Sequence, residues 1–229
     1  MKLKVLSWNI WIDSDFNEVV KFLKNSPADI IGLQEVVNNN PARDIIKVLQ
    51  NEGYNSHFGY AEHSWGGNVY TDGPAIFSKY EMSNKKTYVL SKKDKRAAVS
   101  CDIKVGNRLI HVFSTHLLHT HQKLDDEQEI QAATLIKGLP NNNVILMGDF
   151  NATPDSSVIK NVRKVLIDTD TKSLPTWSVY REGCLTCNQQ TVEIKLDYIF
   201  TSKDIKTGSF TVEESKASDH LPISAIVEV

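Results

Sequence analysis

Apolar and polar positions along this chain switch repeatedly between two periods. Lys2 to Asn9 reads as a strand, with Leu3, Val5, Leu6 and Trp8 among eight positions. Phe16, Val19, Val20 and Leu23 then recur at helical spacing behind Ser14 and Asp15, residues suited to capping a helix start, and Pro27 ends the pattern. Ile30-Ile31-Gly32-Leu33-Gln34-Glu35 is a short apolar strand ending on a carboxylate, and Ile45, Ile46 and Leu49 mark a second amphipathic helix closed by Gly53. From Tyr54 to Thr115 the pattern is one of strands. Within it Gly106-Asn107 separates Ala97–Val105 from Arg108–Thr115, a two-residue turn that suits an antiparallel hairpin. Lys123 to Lys137 predicts a helix stopped by Gly138 and Pro140; Asn143 to Gly148 predicts a strand and Ser156 to Leu166 a helix. Leu196–Phe200 and Pro222–Val229 are the last strands.

This order predicts an α/β protein whose sheets are not purely parallel, because a hairpin pairs its strands antiparallel while a helical crossover allows parallel pairing. Two mixed sheets packed face to face, with helices covering the outer faces, would bury so many apolar strands. No Pro/Gly/Ser linker or repeat interrupts the 229 residues, so positions 1–229 are expected to form a single domain.

Composition narrows the class. Hydrophobic content of 41% with 24% charged residues is that of a soluble globular protein. A net charge of −2 argues against tight, non-specific DNA binding through bulk charge. The local exception, Lys92-Lys93-Asp94-Lys95-Arg96, is read as a solvated loop. No segment nears the roughly 18 apolar residues that cross a bilayer, and the start lacks an apolar run of signal-peptide length, so the expectation is a cytoplasmic protein without a membrane partner. Three cysteines make no disulfide framework. Cys101 is expected in the core, and the lone Cys184-x-x-Cys187 as packing within a loop. His119 and His121, on the segment after His116, are expected at a surface or pocket rim, and Trp11 and Trp65 could either stack a ligand or pack half-buried.

The candidate chemistry lies where strands stop. Asn9, Glu35, His116, Asp149 with Asn151, Asp197 and Asp219 with His220 each sit at or beside the end of an apolar segment. A hydrolase of phosphate esters needs this set. Mg²⁺ takes oxygen ligands, one or two of them carboxylates; imidazole can move a proton near neutral pH; amides can hydrogen-bond the charge that grows on phosphoryl oxygens.

The ordered motifs Ser7-Trp8-Asn9, Leu33-Gln34-Glu35, Thr115-His116-Leu117, Gly148-Asp149-Phe150-Asn151, Asp197-Tyr198-Ile199-Phe200 and Ser218-Asp219-His220-Leu221-Pro222 resemble those of the endonuclease/exonuclease/phosphatase (DNase I-like) superfamily. Gly73-Pro74-Ala75-Ile76-Phe77-Ser78 likewise resembles its central strand. The resemblance runs from Ser7 to Pro222. It implies a four-layer α/β sandwich, with two packed mixed β-sheets flanked by helices, and a phosphodiesterase or phosphatase dependent on Mg²⁺ or Mn²⁺. By motif, Glu35 resembles the main metal ligand, with Asn9 and Asp219 near the same ion. His116 resembles the histidine that contacts the scissile phosphate and can protonate the leaving oxygen. Asp149 and Asn151 resemble the pair that orients the attacking water and holds the transition state, and Asp197 the carboxylate that fixes His220. His220 is expected as the base, with Asp149 as the alternative. The leading expectation is a nuclease acting on DNA or RNA, with a small phosphorylated metabolite or lipid headgroup as the alternative substrate; an inert binding module is a third reading, opposed by the complete set of carboxylates and histidines. The chain lacks the glycine that follows the first asparagine in abasic-site nucleases and has His116 where they carry tyrosine, which argues against that repair role.

Overall fold

A computed structural model describes residues 1–65, 67–120, 126–180 and 191–229 of the chain, with backbone alone at position 65. Strand β1 (Lys2–Asn9) passes through helix α1 (Phe16–Asn25) to β2 (Ile30–Val36), which pairs parallel to β1 with Asn9 beside Gln34. The Asp15 carboxylate caps α1 by accepting from the Asn17 and Glu18 amides. Helix α2 (Ile45–Asn51) follows, then β3 (Asn55–Phe58), the short hairpin β4 (His63–Trp65) and β5 (Asn68–Tyr70), and β6 (Gly73–Ser78). The second half repeats this plan. After β7 (Met82–Val89) comes the hairpin of β8 (Ala97–Val105) and β9 (Arg108–His116); the chain then runs through α3 (Glu127–Lys137) to β10 (Val144–Asp149), parallel to β9. Helix α4 (Ser157–Val165) and strands β11 (Ile167–Asp168), β12 (Asp197–Thr201), β13 (Lys206–Val212) and β14 (Ile223–Glu228) complete it.

One sheet has the order β13-β14-β1-β2-β6-β3 and the other β11-β12-β10-β9-β8-β7. Each has one parallel pair among antiparallel ones, as a helical crossover beside hairpins dictates. Side chains alternate across both sheets. Val5 and Ile30 of the first sheet meet Ile145 and Met147 of the second between the sheets. Leu6 and Leu33 face the outside of the first sheet with Val19, Leu23 and Leu49 of α1 and α2. Leu146 and Phe200 face the outside of the second with Leu135, Ile159 and Val162 of α3 and α4. Both faces of the central strands are therefore buried, which explains their near-continuous apolar runs. The result is the four-layer sandwich of two mixed sheets between helices.

The Gly106-Asn107 turn and its flanking strands lie where expected, with Val105 paired to Arg108. The third helix begins at Glu127 behind Asp126, later than the pattern suggested; residues 123–125, like Gly66, His121, Cys184 and Cys187, lie outside the described residues. Strand β13 was not anticipated from sequence. It is an edge strand, Lys-Thr-Gly-Ser-Phe-Thr-Val, whose mostly polar residues carry no apolar period. Cys101 is a buried thiol between the sheets. Among the described residues, no helix is long and apolar enough to cross a membrane.

Candidate active site

The parallel strands of both sheets deliver their C-terminal ends to one edge of the sandwich, the place where sheets of this kind expose ligand sites. In the second sheet the register sets three candidates in a row. Asp149, the last residue of β10, lies beside His116 on β9 and beside Asp197 on β12. In the first sheet Asn9 ends β1. Glu35 follows from an irregularity in β2, where three steps from Leu33 to Val36 match two steps from Ala75 to Gly73. Glu35 takes a left-handed φ of 57° there. The bulge turns its carboxylate out of the ladder and into the pocket, a conformation that an ordinary strand residue avoids. Gln34, the residue before it, points between the sheets and its Nε2 donates to Ser114 Oγ at 3.2 Å.

Seven of the eight predicted residues line one cavity of about 280 Å³: Asn9, Glu35, His116, Asp149, Asn151, Asp219 and His220. Asp197 lies behind them, fully buried, with Oδ2 2.9 Å from His220 Nδ1. That hydrogen bond keeps a proton on Nδ1 and turns Nε2 toward the pocket, 3.6 Å from Asp149 Oδ2. The same Asp149 oxygen faces Asn9 Nδ2 at 3.1 Å, Asn151 Nδ2 at 3.3 Å and His116 Nε2 at 3.4 Å. Four side-chain nitrogens thus converge on one buried carboxylate oxygen. Asp149 Oδ1 accepts from the Asn151 amide at 2.8 Å, and this turn carries Asn151 at a φ of 48°.

Burial and neighbouring charge set the protonation pattern. Desolvation, then repulsion from Asp219 and Asp72, pushes the Glu35 carboxyl up to about 7, against hydrogen bonds from the Ile12 amide and Asn9. Asp149 is also lifted to about 7, by burial first; the attraction of His220 opposes this and the Asp197 charge adds to it. Burial would lower His220, but Asp197, Asp149 and Asp219 outweigh it and hold the imidazole well above its ordinary range. His116 moves the other way, well below the usual value, through burial and the nearby positive charges of Arg96 and His220. Their surroundings therefore push the two histidines in opposite directions.

The donor chemistry suits a hard cation. Glu35 and Asp219 are two acidic groups whose mutual repulsion a divalent ion would relieve, on an oxygen-rich wall of the pocket. Ligand atoms of Asp149, Asp197 and His220 also lie within 4.8 Å of one another and form a possible metal group. Asp197 Oδ2, however, already accepts from His220 and from Thr176 Oγ1 at 2.6 Å, so this trio is committed to its own hydrogen bonds. Glu35 and Asp219 fit an ion better.

Three contributors escaped the reading by strand ends. Arg96 is almost fully buried and lines the cavity, unlike the exposed Lys92, Lys93 and Lys95 of the loop assigned to solvent as a whole. Its Nη1 faces His63 Nε2 at 3.3 Å; His63 Nδ1 faces the Ala61 carbonyl at 3.2 Å, and Tyr70 stacks on the ring at 5.7 Å. Thr176 and Trp177 are the others, the indole Nε1 donating to Asp219 Oδ2 at 3.0 Å. Arg96 precedes β8, and an antiparallel strand starts at the edge where its parallel-running neighbours end. That rule, applied to strand starts, would have found it. His119 lines the same cavity; Trp11, half-buried, lies on its wall with its ring 5.8 Å from Tyr180.

Comparison with known proteins bears on this arrangement. The sequence profile of the Endonuclease/Exonuclease/phosphatase family matches residues 6–220. Among curated proteins none matches the sequence. Of solved structures, an endonuclease/exonuclease/phosphatase from Beutenbergia cavernae DSM 12333 aligns with a TM-score of 0.82 at 19% identity, over 100% of this chain and 72% of that one. The human Nocturnin catalytic domain with bound sulfate anion gives 0.73 at 22% identity, over 99% and 93%. ANGEL2, a 2′,3′-cyclic phosphatase, gives 0.74 at 17%, over 99% and 95%.

Proposed function

The chain belongs to the endonuclease/exonuclease/phosphatase family, whose members hydrolyse phosphoesters, and from that premise we propose that it is a divalent-metal-dependent phosphodiesterase, a nuclease acting on DNA or RNA. The observation that carries the reading is the convergence of Asn9, Asn151, His116 and His220 on Asp149 Oδ2, in the pocket that also holds Glu35 and Asp219. Glu35 and Asp219, with Asn9 beside them, would hold Mg²⁺ or Mn²⁺, which when bound supplies charge to a phosphoryl oxygen.

The chain's own groups divide the remaining work. Asp149, with a proton affinity near neutrality, takes the proton of the attacking water; the strong preference of His220 for the charged ring makes Asp149 the better base of the two. His220, kept as imidazolium by Asp197, presents Nε2–H to the phosphoryl oxygens. His116, held neutral, offers a hydrogen bond to a phosphoryl or leaving oxygen without carrying charge of its own. Asn151 and Asn9 orient the Asp149 carboxylate, and buried Arg96 adds a positive charge near His116.

A second substrate class has its own support. The small cavity and the net charge of −2 suit a small phosphorylated molecule, and ANGEL2 is named as a 2′,3′-cyclic phosphatase. Hydrolysis of bis(p-nitrophenyl) phosphate with Mg²⁺, with Mn²⁺ and with chelator tests the chemistry, and turnover that needs the ion is expected. A panel of single-stranded DNA, RNA, plasmid, an abasic duplex, a 5′-tyrosyl oligonucleotide, a 2′,3′-cyclic nucleotide and sphingomyelin then separates the substrates. No ion-stimulated hydrolysis of any of them would overturn the reading.

A further inference from the structure

One buried charged cluster takes no part in the chemistry above. Lys195 is 3% exposed, and its Nζ lies 2.8 Å from Asp170 Oδ2, 3.5 Å from Asp168 Oδ2 and 4.5 Å from the centre of the Tyr198 ring. Arg163 of α4 reaches the same Asp168 oxygen at 2.7 Å. Burying such a network costs desolvation that its internal attraction barely offsets, so its presence says little of stability and leaves a role in geometry open to test. Asp170 also shapes the chain that follows it. Its Oδ1 accepts from the Lys172 amide at 2.9 Å and its Oδ2 from the Leu174 amide at 2.7 Å.

Two residues further on, the strap reaches the centre. Thr176, fully buried, donates its hydroxyl to Asp197 Oδ2 at 2.6 Å, and the same hydroxyl oxygen accepts from the amides of Leu196 at 3.1 Å and Asp197 at 3.3 Å. Trp177 holds Asp219 Oδ2 through its indole. Backbone bonds from Thr176 and Trp177 amides to the Ile194 carbonyl, and from the Leu221 amide to the Thr176 carbonyl, join the strap to both segments that carry the carboxylates. The Asp197 carboxylate depends on it heavily. Oδ2 takes both Thr176 and His220, while buried Oδ1 has no hydrogen-bond partner among the described residues.

We propose that the ion network of Lys195 with Asp168 and Asp170 is a positioning device: it pins the strap 168–177, whose Thr176 and Trp177 side chains set the Asp197 and Asp219 carboxylates for catalysis. Lys195, Asp170 and Thr176 are positioning residues, acting through Asp197 on His220. The proposal rests on the reading of His220 and Asp197 as a working pair.

The test combines turnover of bis(p-nitrophenyl) phosphate with Mn²⁺ and a proton spectrum of the ion-free protein. The low-field Nδ1–H resonance of His220, identified by its loss in His220→Asn, reports the bond to Asp197 without any turnover. Thr176→Val, nearly isosteric, and Asp170→Asn should each lower kcat about 10- to 100-fold with KM within about threefold, and should shift or broaden that resonance. Thr176→Ser, which restores the hydroxyl, should stay within about threefold of the original in kcat and keep the resonance. The double variant Asp170→Asn/Thr176→Val should lose no more than the worse single one, because both act along one path. An unmoved resonance in Thr176→Val, a serine variant as impaired as the valine one, or losses that multiply in the double variant would each overturn the proposal. If the unmodified protein turned over no substrate, the phosphodiesterase reading would fall, and the resonance alone would still decide the strap.

Discussion

Asp149 and Glu35 are carboxyls of similar proton affinity, about 7, with different work, and substitution separates them. Asp149→Asn keeps the shape and removes the proposed base, so kcat should drop by roughly 10³-fold or more with KM nearly unchanged, measured by steady-state kinetics. In the unmodified protein kcat/KM should rise with pH as Asp149 loses its proton. A cation bound nearby can only lower that affinity, so the midpoint of the acid limb should fall at or below about 7. Glu35 bears on stability. In its folded setting it holds a proton to about 7, against an ordinary value of 4.5, so between these values the folded state binds more protons than the unfolded one. Stability contributed at this position therefore declines as pH rises through that window. Urea unfolding in chelator across pH 4.5 to 7 should show the unmodified protein losing ground to Glu35→Gln, which has no proton to release. A constant difference between the two would place Glu35 outside the acidic cluster.

At the scale of elements, the site depends on where strands end and how closely they pack. Gly148 takes a φ of 150°, and a Cβ there would lie 2.1 Å from the Thr115 carbonyl oxygen on the neighbouring strand. Gly148→Ala must therefore push β10 from β9 just where Asp149 and His116 sit side by side. It should cost roughly 3 kcal/mol or more in chemical denaturation and most of the activity besides. Much of the plan at this scale is readable in the chain: the hairpin at Gly106-Asn107, the capped helix after Asp15 and the carboxylates at or beside the ends of β2 and β10 all follow from local pattern. Other parts are not. The left-handed turn at Glu35 comes from a bulge that depends on pairing with β6, and the polar edge strand β13 exists because β14 offers it a partner. Arg96 looks like the end of a solvated basic run because burial is decided by what packs against it, which is His63, itself beside Asp72, from a hairpin and loop some thirty residues earlier in the chain.

The whole molecule divides the centre between its two sheets. The first supplies Asn9, Glu35 and the segment before β14 with Asp219 and His220; the second supplies His116, Asp149 and Asp197. His220 crosses between them to Asp197, and a cation held by Glu35 and Asp219, which the strand order of the first sheet brings together, would bind the folded protein and not the unfolded chain. Ion binding should accordingly stabilise the folded protein. Millimolar Mn²⁺ or Mg²⁺ should raise the thermal midpoint at pH 8 by roughly 5–10 °C if the ion is near 100 times its dissociation constant. Glu35→Gln should respond much less; an equal response would move the ion elsewhere. The sequence by itself determined which side chains end the strands, in which order, and that apolar faces must pair into sheets covered by helices, because propensity, spacing and turn chemistry are local. Only the tertiary structure decided that the two sheets bring these ends to one edge, that Thr176, Trp177 and Arg96 join them, and that their surroundings push the proton affinities of the two histidines in opposite directions. Those outcomes depend on burial and on contacts between segments as far apart along the chain as Trp8 and His220, whose backbone carbonyl accepts from the indole.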